Sequence, residues 1–316
     1  MNGKNKLVDF LIQLPVANWL IHKSKTTTLP GFSGIPIYQV VSFFIRQVQT
    51  IGMTERASAI AFNFVMAIPP ATIFLFTLIP YLPITQSLQQ ELYKLIKDII
   101  PGERNNAVLI NFLQDFINNP RNGLLSLGFI LSLYFSSNAM MGIMRSFDKN
   151  YAGFKKRSNW QRRKAALRLT ALLYVFVMAS LVALIAREVV LEWLGIENAT
   201  LRALLSNLRW SVIFLLFFGC ISSIYRLAPS VHKKWKLINP GSIVATSLML
   251  ITSGALSWWV ANFSNYNQLY GSISTVLIIM ILIFINSLIL LIGFELNVSI
   301  YSLKSARADE RLDIEN

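Results

Sequence analysis

Six long apolar runs divide this chain, at residues 57–82, 124–147, 169–190, 210–227, 241–262 and 273–298. A helix of ~20 mostly apolar residues is long enough to cross the hydrocarbon of a bilayer. No water reaches the backbone there, so each run must satisfy its own N–H and C=O groups, and a helix does so. The expected fold class is all-α: a polytopic membrane helical bundle with six transmembrane helices, plus interfacial and extracytoplasmic amphipathic helices. Charged residues make up 14% of the chain, against about 25% in soluble domains, and a lipid-facing surface accounts for the shortfall.

Around this six-span domain, 57–298, lie an N-terminal segment, 1–56, and a tail, 299–316. Lys4 and Lys6 are followed by Asp9, Gln13 and Pro15, so the uninterrupted apolar core of a cleavable signal peptide is not expected. Residues 7–20 read either as an amphipathic helix on the membrane surface or as a soluble helical piece. Leu29, Pro30, Gly31, Gly34 and Pro36 mark a loop. Val40, Val41, Phe44 and Val48 then recur at helical spacing and predict an interfacial helix over 37–50. Residues 84–122 predict an extracytoplasmic helical region, with Leu88, Leu92, Leu95, Ile96 and Ile99 at helical spacing and Pro101 and Gly102 as the stop. Its Lys and Arg are balanced by Glu91, Asp98, Glu103 and Asp115.

The formal net charge is +14. The two most basic loops, 149–168 and 232–236, fall on one predicted side, and the balanced 84–122 region falls on the other. Lys and Arg concentrate in cytoplasmic loops of membrane proteins, so both termini are expected in the cytoplasm. The same loops are candidate contacts for membrane lipids, anionic headgroups in particular. Nucleic acid is not needed to explain the charge and is not expected as a partner. The sequence does not fix whether the chain forms a homo-oligomer.

Signals of an enzyme are weak. Cys220 is the single cysteine and His22 and His232 the two histidines, which excludes a disulfide framework and a multi-cysteine metal site. No H-E-x-x-H, P-loop or G-x-S-x-G motif is present. No catalytic residue, metal or cofactor is expected.

Polar residues inside the apolar runs are the remaining functional signal, since a charge at a helix centre costs roughly 2.5–3.5 kcal/mol. Arg56, Asn63 and Pro70 are seven apart, and Pro69 with Pro70 predicts a kinked or interrupted first span. Asn138 and Arg145 are also seven apart, with Gly142 between them. Further stripes are Gly219, Ser222, Ser223 and Arg226; Ser242, Thr246, Ser253 and Ser257; and Asn286, Gly293 and Asn297, with Glu295 to one side. These stripes either converge on a polar cavity open to the cytoplasm or let helices pack closely. Arg145, Arg226 and Glu295, near the predicted inner helix ends, form a buried ion pair, bind a charged headgroup or snorkel to the interface. The candidate substrate or ion-pair cluster is Arg145, Asp148, Arg226, Glu295 and Asn297. The candidate cavity-lining residues are Asn63, Pro69, Pro70, Asn138 and Tyr225. Trp258, Trp259, Tyr266 and Tyr270 resemble an aromatic belt.

Tyr225-Arg226-x-x-Pro229, Trp235, Pro240-Gly241-Ser242, Tyr270-Gly271-Ser272 and Gly293-Phe294-Glu295-Leu296-Asn297 follow one another in the second half. Ala57-Ser58-Ala59-Ile60-Ala61 with Pro69, Asn122-Gly123-Leu124 through Ser136-Ser137, and Arg145-Ser146-Phe147-Asp148 precede them. This order, over about residues 37–300, resembles the YihY/BrkB family of bacterial inner-membrane proteins. Asn63 and Asp148 depart from the family's pattern. The first places a polar group inside span one, and the second leaves a carboxylate beside Arg145. The resemblance implies a six-span protein of the bacterial inner (plasma) membrane. It implies no ribonuclease activity, despite an older label. Transport of a lipid-like or envelope-related amphipathic molecule is the leading expectation. The alternative is a non-transporting scaffold that recruits envelope partners through 84–122 and the basic loops.

Overall fold

Helix starts in this chain are written in capping chemistry. Ser158 precedes a helix and Gln161 follows three residues later. The Gln161 N–H donates to Ser158 Oγ at 3.3 Å, and the Ser158 N–H donates to Gln161 Oε1 at 3.2 Å. This reciprocal pair satisfies two N–H groups that the first turn would leave unmade. Asn239, Pro240 and Ser242 open another helix in the same manner, with Pro at the first helical position, where its missing N–H costs nothing.

The computed structural model describes residues 15–50, 52–78, 110–111, 114–115, 122–148, 154, 157–193, 199–231, 234–262 and 272–315. Eight α-helices hold most of these residues: α1 (Pro15–Thr26), α2 (Ile37–Thr50), α3 (Met53–Leu78), α4 (Asn122–Phe147), α5 (Asn159–Trp193), α6 (Ala199–Leu227), α7 (Pro240–Asn262) and α8 (Ser272–Glu315). Two isolated β-bridges, Thr28 with Pro36 and Phe154 with Val231, are the extended pairings recorded among the described residues. The fold is all-α, as the apolar runs predicted.

Among the described residues, four helices are long and apolar enough to cross a membrane: Met53–Leu75, Leu125–Phe147, Pro240–Val260 and Val276–Arg307. Ser211–Leu227 on α6 is a shorter apolar helix, and the apolar run 169–190 lies on α5. Large apolar side chains stand open on these helices, among them Phe62, Ile130, Val175, Leu215 and Ile251, each more than 60% exposed. At ~25 cal/mol per Å² of apolar surface, such faces belong in hydrocarbon, not water.

The chain divides into two compact units. One gathers Met1–Ser58, Phe147–Lys156 and Pro229–Asn316; the other gathers Ala59–Ser146 and Arg157–Ala228. In the first, α7 packs on α8, α8 on α2, and α2 on α1. Phe32, Ile35, Val40 and Ile300 form a buried cluster, flanked by Ile37, Leu296 and Leu303. The turn before α2 takes positive φ at Gly31, Ser33 and Gly34. At Gly31 a side chain would also meet the Pro240 ring, so two constraints select glycine there. In the second unit α5 packs on α6. Gly128 of α4 lies against the Phe74 backbone of α3, and Phe74 packs on the rings of Phe129 and Tyr174 at 5.3 and 6.1 Å.

Three expectations need restating. α3 runs through Pro69 and Pro70 as one helix, so of the expected kink or interruption it is the interruption that is absent. Proline's fixed φ suits a helix, and in apolar surroundings the helix satisfies every other N–H. α5 begins ten residues before its apolar run, because Ser158 and Gln161 cap it there. α8 continues well past residue 298 through a stretch without Gly or Pro, so the expected tail is helical. The 84–122 region lies outside the described residues except for the helical pairs 110–111 and 114–115 and Asn122. Residues 7–14, Tyr266 and Tyr270 also lie outside them.

Candidate functional site

Two polar constellations occupy the helices, one in each unit. In the first unit, the α7 N-terminus is tied to α8. Asn239 Oδ1 accepts from the Ser242 N–H at 2.8 Å, while Ser242 Oγ donates to the Asn239 carbonyl at 2.9 Å. Asn297 of α8 then supplies what the local cap lacks. Its Oδ1 accepts from the Gly241 N–H at 2.9 Å, and its Nδ2 donates to Asn239 Oδ1 at 2.7 Å. Asn239 Nδ2 donates to the carbonyls of Lys236 and Leu237. Asn239, Ser242 and Asn297 are all buried, so each of these bonds replaces one that water cannot make. Gly241 makes the approach possible: a Cβ there would overlap the Gly293 carbonyl and the Asn297 amide. One turn along α8, the Phe294 ring lies parallel to Phe147 at 4.0 Å, with Trp235 tilted against it at 5.7 Å. Glu295, the next residue of α8, is fully enclosed.

In the second unit, α4 and α5 share a polar seam. Arg163 Nη1 donates to Asn138 Oδ1 at 2.6 Å and contacts Met141 Sδ at 3.4 Å. Its guanidinium lies 5.0 Å from the Tyr134 ring centroid, a cation–π distance. Three turns further along α5, the Tyr174 hydroxyl bonds Ser132 and donates to Ser136 Oγ at 3.3 Å. The seam thus carries hydroxyls, an amide and one guanidinium along α4 and α5. Asn63 of α3 packs against Gly142 of α4 and donates to its own helix at the Ala59 carbonyl, 2.7 Å away. At the end of α6, Arg157 donates to the Ala228 and Leu227 carbonyls at 2.8 and 3.3 Å. A cation there satisfies the last carbonyls and suits the negative end of the helix dipole.

The residues singled out from sequence distribute as follows. Asn297 joins the α7 cap, Asn138 the seam, and Asn63 the α3–α4 contact. Pro69 is exposed and Pro70 buried. Tyr225 is fully enclosed in α6, and Arg226, next to it, is half-buried. Arg145 is exposed on the last turn of α4. Arg145 and Arg226 belong to one unit and Asp148, Glu295 and Asn297 to the other. Sequence reasoning missed Asn239, Arg157, Arg163 and Tyr174 as partners. Asn-Pro-x-Ser before an apolar run is a readable cap signal. In the sequence both arginines stand in the basic stretch 149–168 and look like loop charge. Among the described residues no group of three His, Cys, Asp or Glu side chains is placed to hold a metal.

Comparison with known proteins places these features in a family. The family model described as Virulence factor BrkB matches residues 44–313. The chain is 28% identical over 254 residues to the ribonuclease-like protein YfkH of Bacillus subtilis, covering 79% of this chain and 90% of that one. It is 23% identical to the UPF0761 membrane protein Smlt0865 of Stenotrophomonas maltophilia, covering 82% of this chain and 60% of that one. It is 25% identical to a UPF0761 membrane protein of Chromohalobacter salexigens, over 77% and 58%. The chain therefore spans a little over half the length of these UPF0761 relatives. No solved structure matches it. A match over most of the chain, on helices apolar enough to cross a bilayer, makes this a membrane protein that belongs to the BrkB family.

Proposed function

We propose that the protein is a six-span translocator of an anionic amphipathic molecule, lipid-like or envelope-related, in the bacterial inner membrane, with both termini cytoplasmic. The α4–α5 seam supports this reading. Arg163, Asn138, Ser136, Ser132 and Tyr174 offer successive hydrogen-bonding groups along two apolar helices. A headgroup can follow such a line while its acyl chains stay in hydrocarbon. A guanidinium at one end favours phosphate or carboxylate. The basic loops 149–168 and 232–236 would gather anionic lipid on the same side.

Reconstitution tests it. Vesicles carrying the full chain and fluorescent phospholipids or a polyprenyl phosphate should lose fluorescence to an external quencher faster than empty vesicles. Arg163→Met should abolish the difference for anionic probes while the protein stays folded. No acceleration for any probe across that panel sinks the translocator reading. A scaffold would then be the better account, and deleting 86–118 should release a bound envelope partner. Carried over to this chain, the ribonuclease-like name of YfkH predicts RNA cleavage. Protein purified free of contaminating nucleases should show none with or without divalent metal.

A further inference from the structure

α2 carries more apolar surface than its packing uses. Val40 is enclosed against Phe32, Ile35 and Ile300, but Tyr38, Val41 and Ile45 remain 41–48% exposed. They fall at i, i+3 and i+7, so they form one stripe along the helix. Cations border it. Lys25 Nζ lies 5.3 Å from the Tyr38 ring centroid, and Lys23 Nζ lies 4.7 Å from that of Trp19, itself exposed. Residues 15–50 contain Lys23, Lys25 and Arg46 and no Asp or Glu.

The stripe is held at a fixed height. α2 packs on α8 at Leu296, Ile300 and Leu303. Arg307 Nη1 donates to the Gly34 carbonyl at 3.1 Å and Nη2 to Gln39 Oε1 at 2.8 Å. The apolar stretch of α8 runs from Val276 to Arg307, 32 residues, against the ~20 that hydrocarbon requires. α2 is therefore clamped to the end of α8 where Lys304 and Arg307 begin, the level at which aromatic and cationic side chains meet headgroups. The turn with positive φ at Gly31, Ser33 and Gly34 and the bridge between Thr28 and Pro36 join α1 to it without a free linker.

We propose that α1, α2 and the turn between them form a platform that seats Tyr38, Val41 and Ile45 in the headgroup–acyl boundary of an anionic leaflet. Lys23 and Lys25 engage phosphatidylglycerol-type headgroups over their aromatic partners. The occupant follows from charge complementarity and from the adjoining membrane helix. The platform does not depend on whether the protein moves lipid.

Full-length protein with Cys220→Ser and Ile45→Cys, labelled with a fluorophore, tests this in vesicles of phosphatidylcholine with and without phosphatidylglycerol. Asp313→Cys, six residues beyond the Arg307 clamp on α8, is the aqueous control. The label at position 45 should be quenched by nitroxides near the headgroup and shielded from iodide. Nitroxide carried on phosphatidylglycerol should quench more strongly than the same group on phosphatidylcholine. Lys23→Gln and Lys25→Gln should each reduce that preference by roughly five-fold. Iodide quenching at 45 as strong as at 313 overturns the proposal, as does equal quenching by the two lipids. Shielding from both quenchers also overturns it. Deletion of 1–14, or dilution, would then identify the N-terminal segment or a second copy as the cover.

Discussion

The α7 cap and the α4–α5 seam are both polar constructions in apolar helices, yet they differ in what they satisfy. At the cap, side chains serve backbone groups: Asn297 and Asn239 meet N–H and C=O groups that the helix end leaves open. At the seam, side chains serve one another: Arg163 meets Asn138, and Tyr174 meets Ser132 and Ser136. The backbone of α4 and α5 is complete without them. A ligand that displaces a cap breaks a helix. A ligand that displaces a seam bond only exchanges one side-chain partner for another. The cap therefore belongs to stability, and the seam is where transient binding costs little.

Substitutions can break or sharpen this contrast. Gly241→Leu forces a side chain into the Gly293 carbonyl, where neither backbone can yield. It should cost upwards of ~3 kcal/mol and deplete folded protein, read by size-exclusion recovery in detergent. Asn297→Ala strands the Gly241 N–H and should cost about 2 kcal/mol, read as a lowered unfolding midpoint. Asn138→Ala and Arg163→Ala should each cost under about 1 kcal/mol, near the average for such bonds in membranes, while the proposed lipid transfer falls several-fold for Asn138→Ala and is lost for Arg163→Ala. A seam variant as destabilising as Asn297→Ala would erase the distinction. Gln161→Ala, which removes half of a capping box, should cost about 0.5–1 kcal/mol with transfer unchanged.

Much of this architecture is legible in residue order, and the gaps have physical causes. Apolar runs mark the helices because the bilayer leaves the backbone one solution. Asn63, Asn138 and Asn297 are recognisable as functional or structural polar groups because each stands in an apolar stretch. Their partners are not. Arg163 precedes the apolar run of α5, so composition assigns it to a loop, and only the cap at Ser158 and Gln161 reveals that it is already helical. Arg157 reads as one more loop charge because its carbonyl partners lie some seventy residues away. Tyr174 looks like ordinary aromatic filling until Ser132 and Ser136 face it. Pairing across helices depends on register, which hydropathy does not encode.

The length of α8 carries a mechanical consequence. Its 44 residues, at ~1.5 Å each, make a rod of about 66 Å, while the hydrocarbon core is only ~30 Å thick. Arg307 and Ile300 bolt α2 and the turn before it to the C-terminal half of that rod. A thinner bilayer must therefore tilt the rod or drive its end outward, and whatever is fastened there moves with it. With Tyr38, Val41 and Ile45 seated as proposed, membrane thickness sets the depth at which they meet the surface.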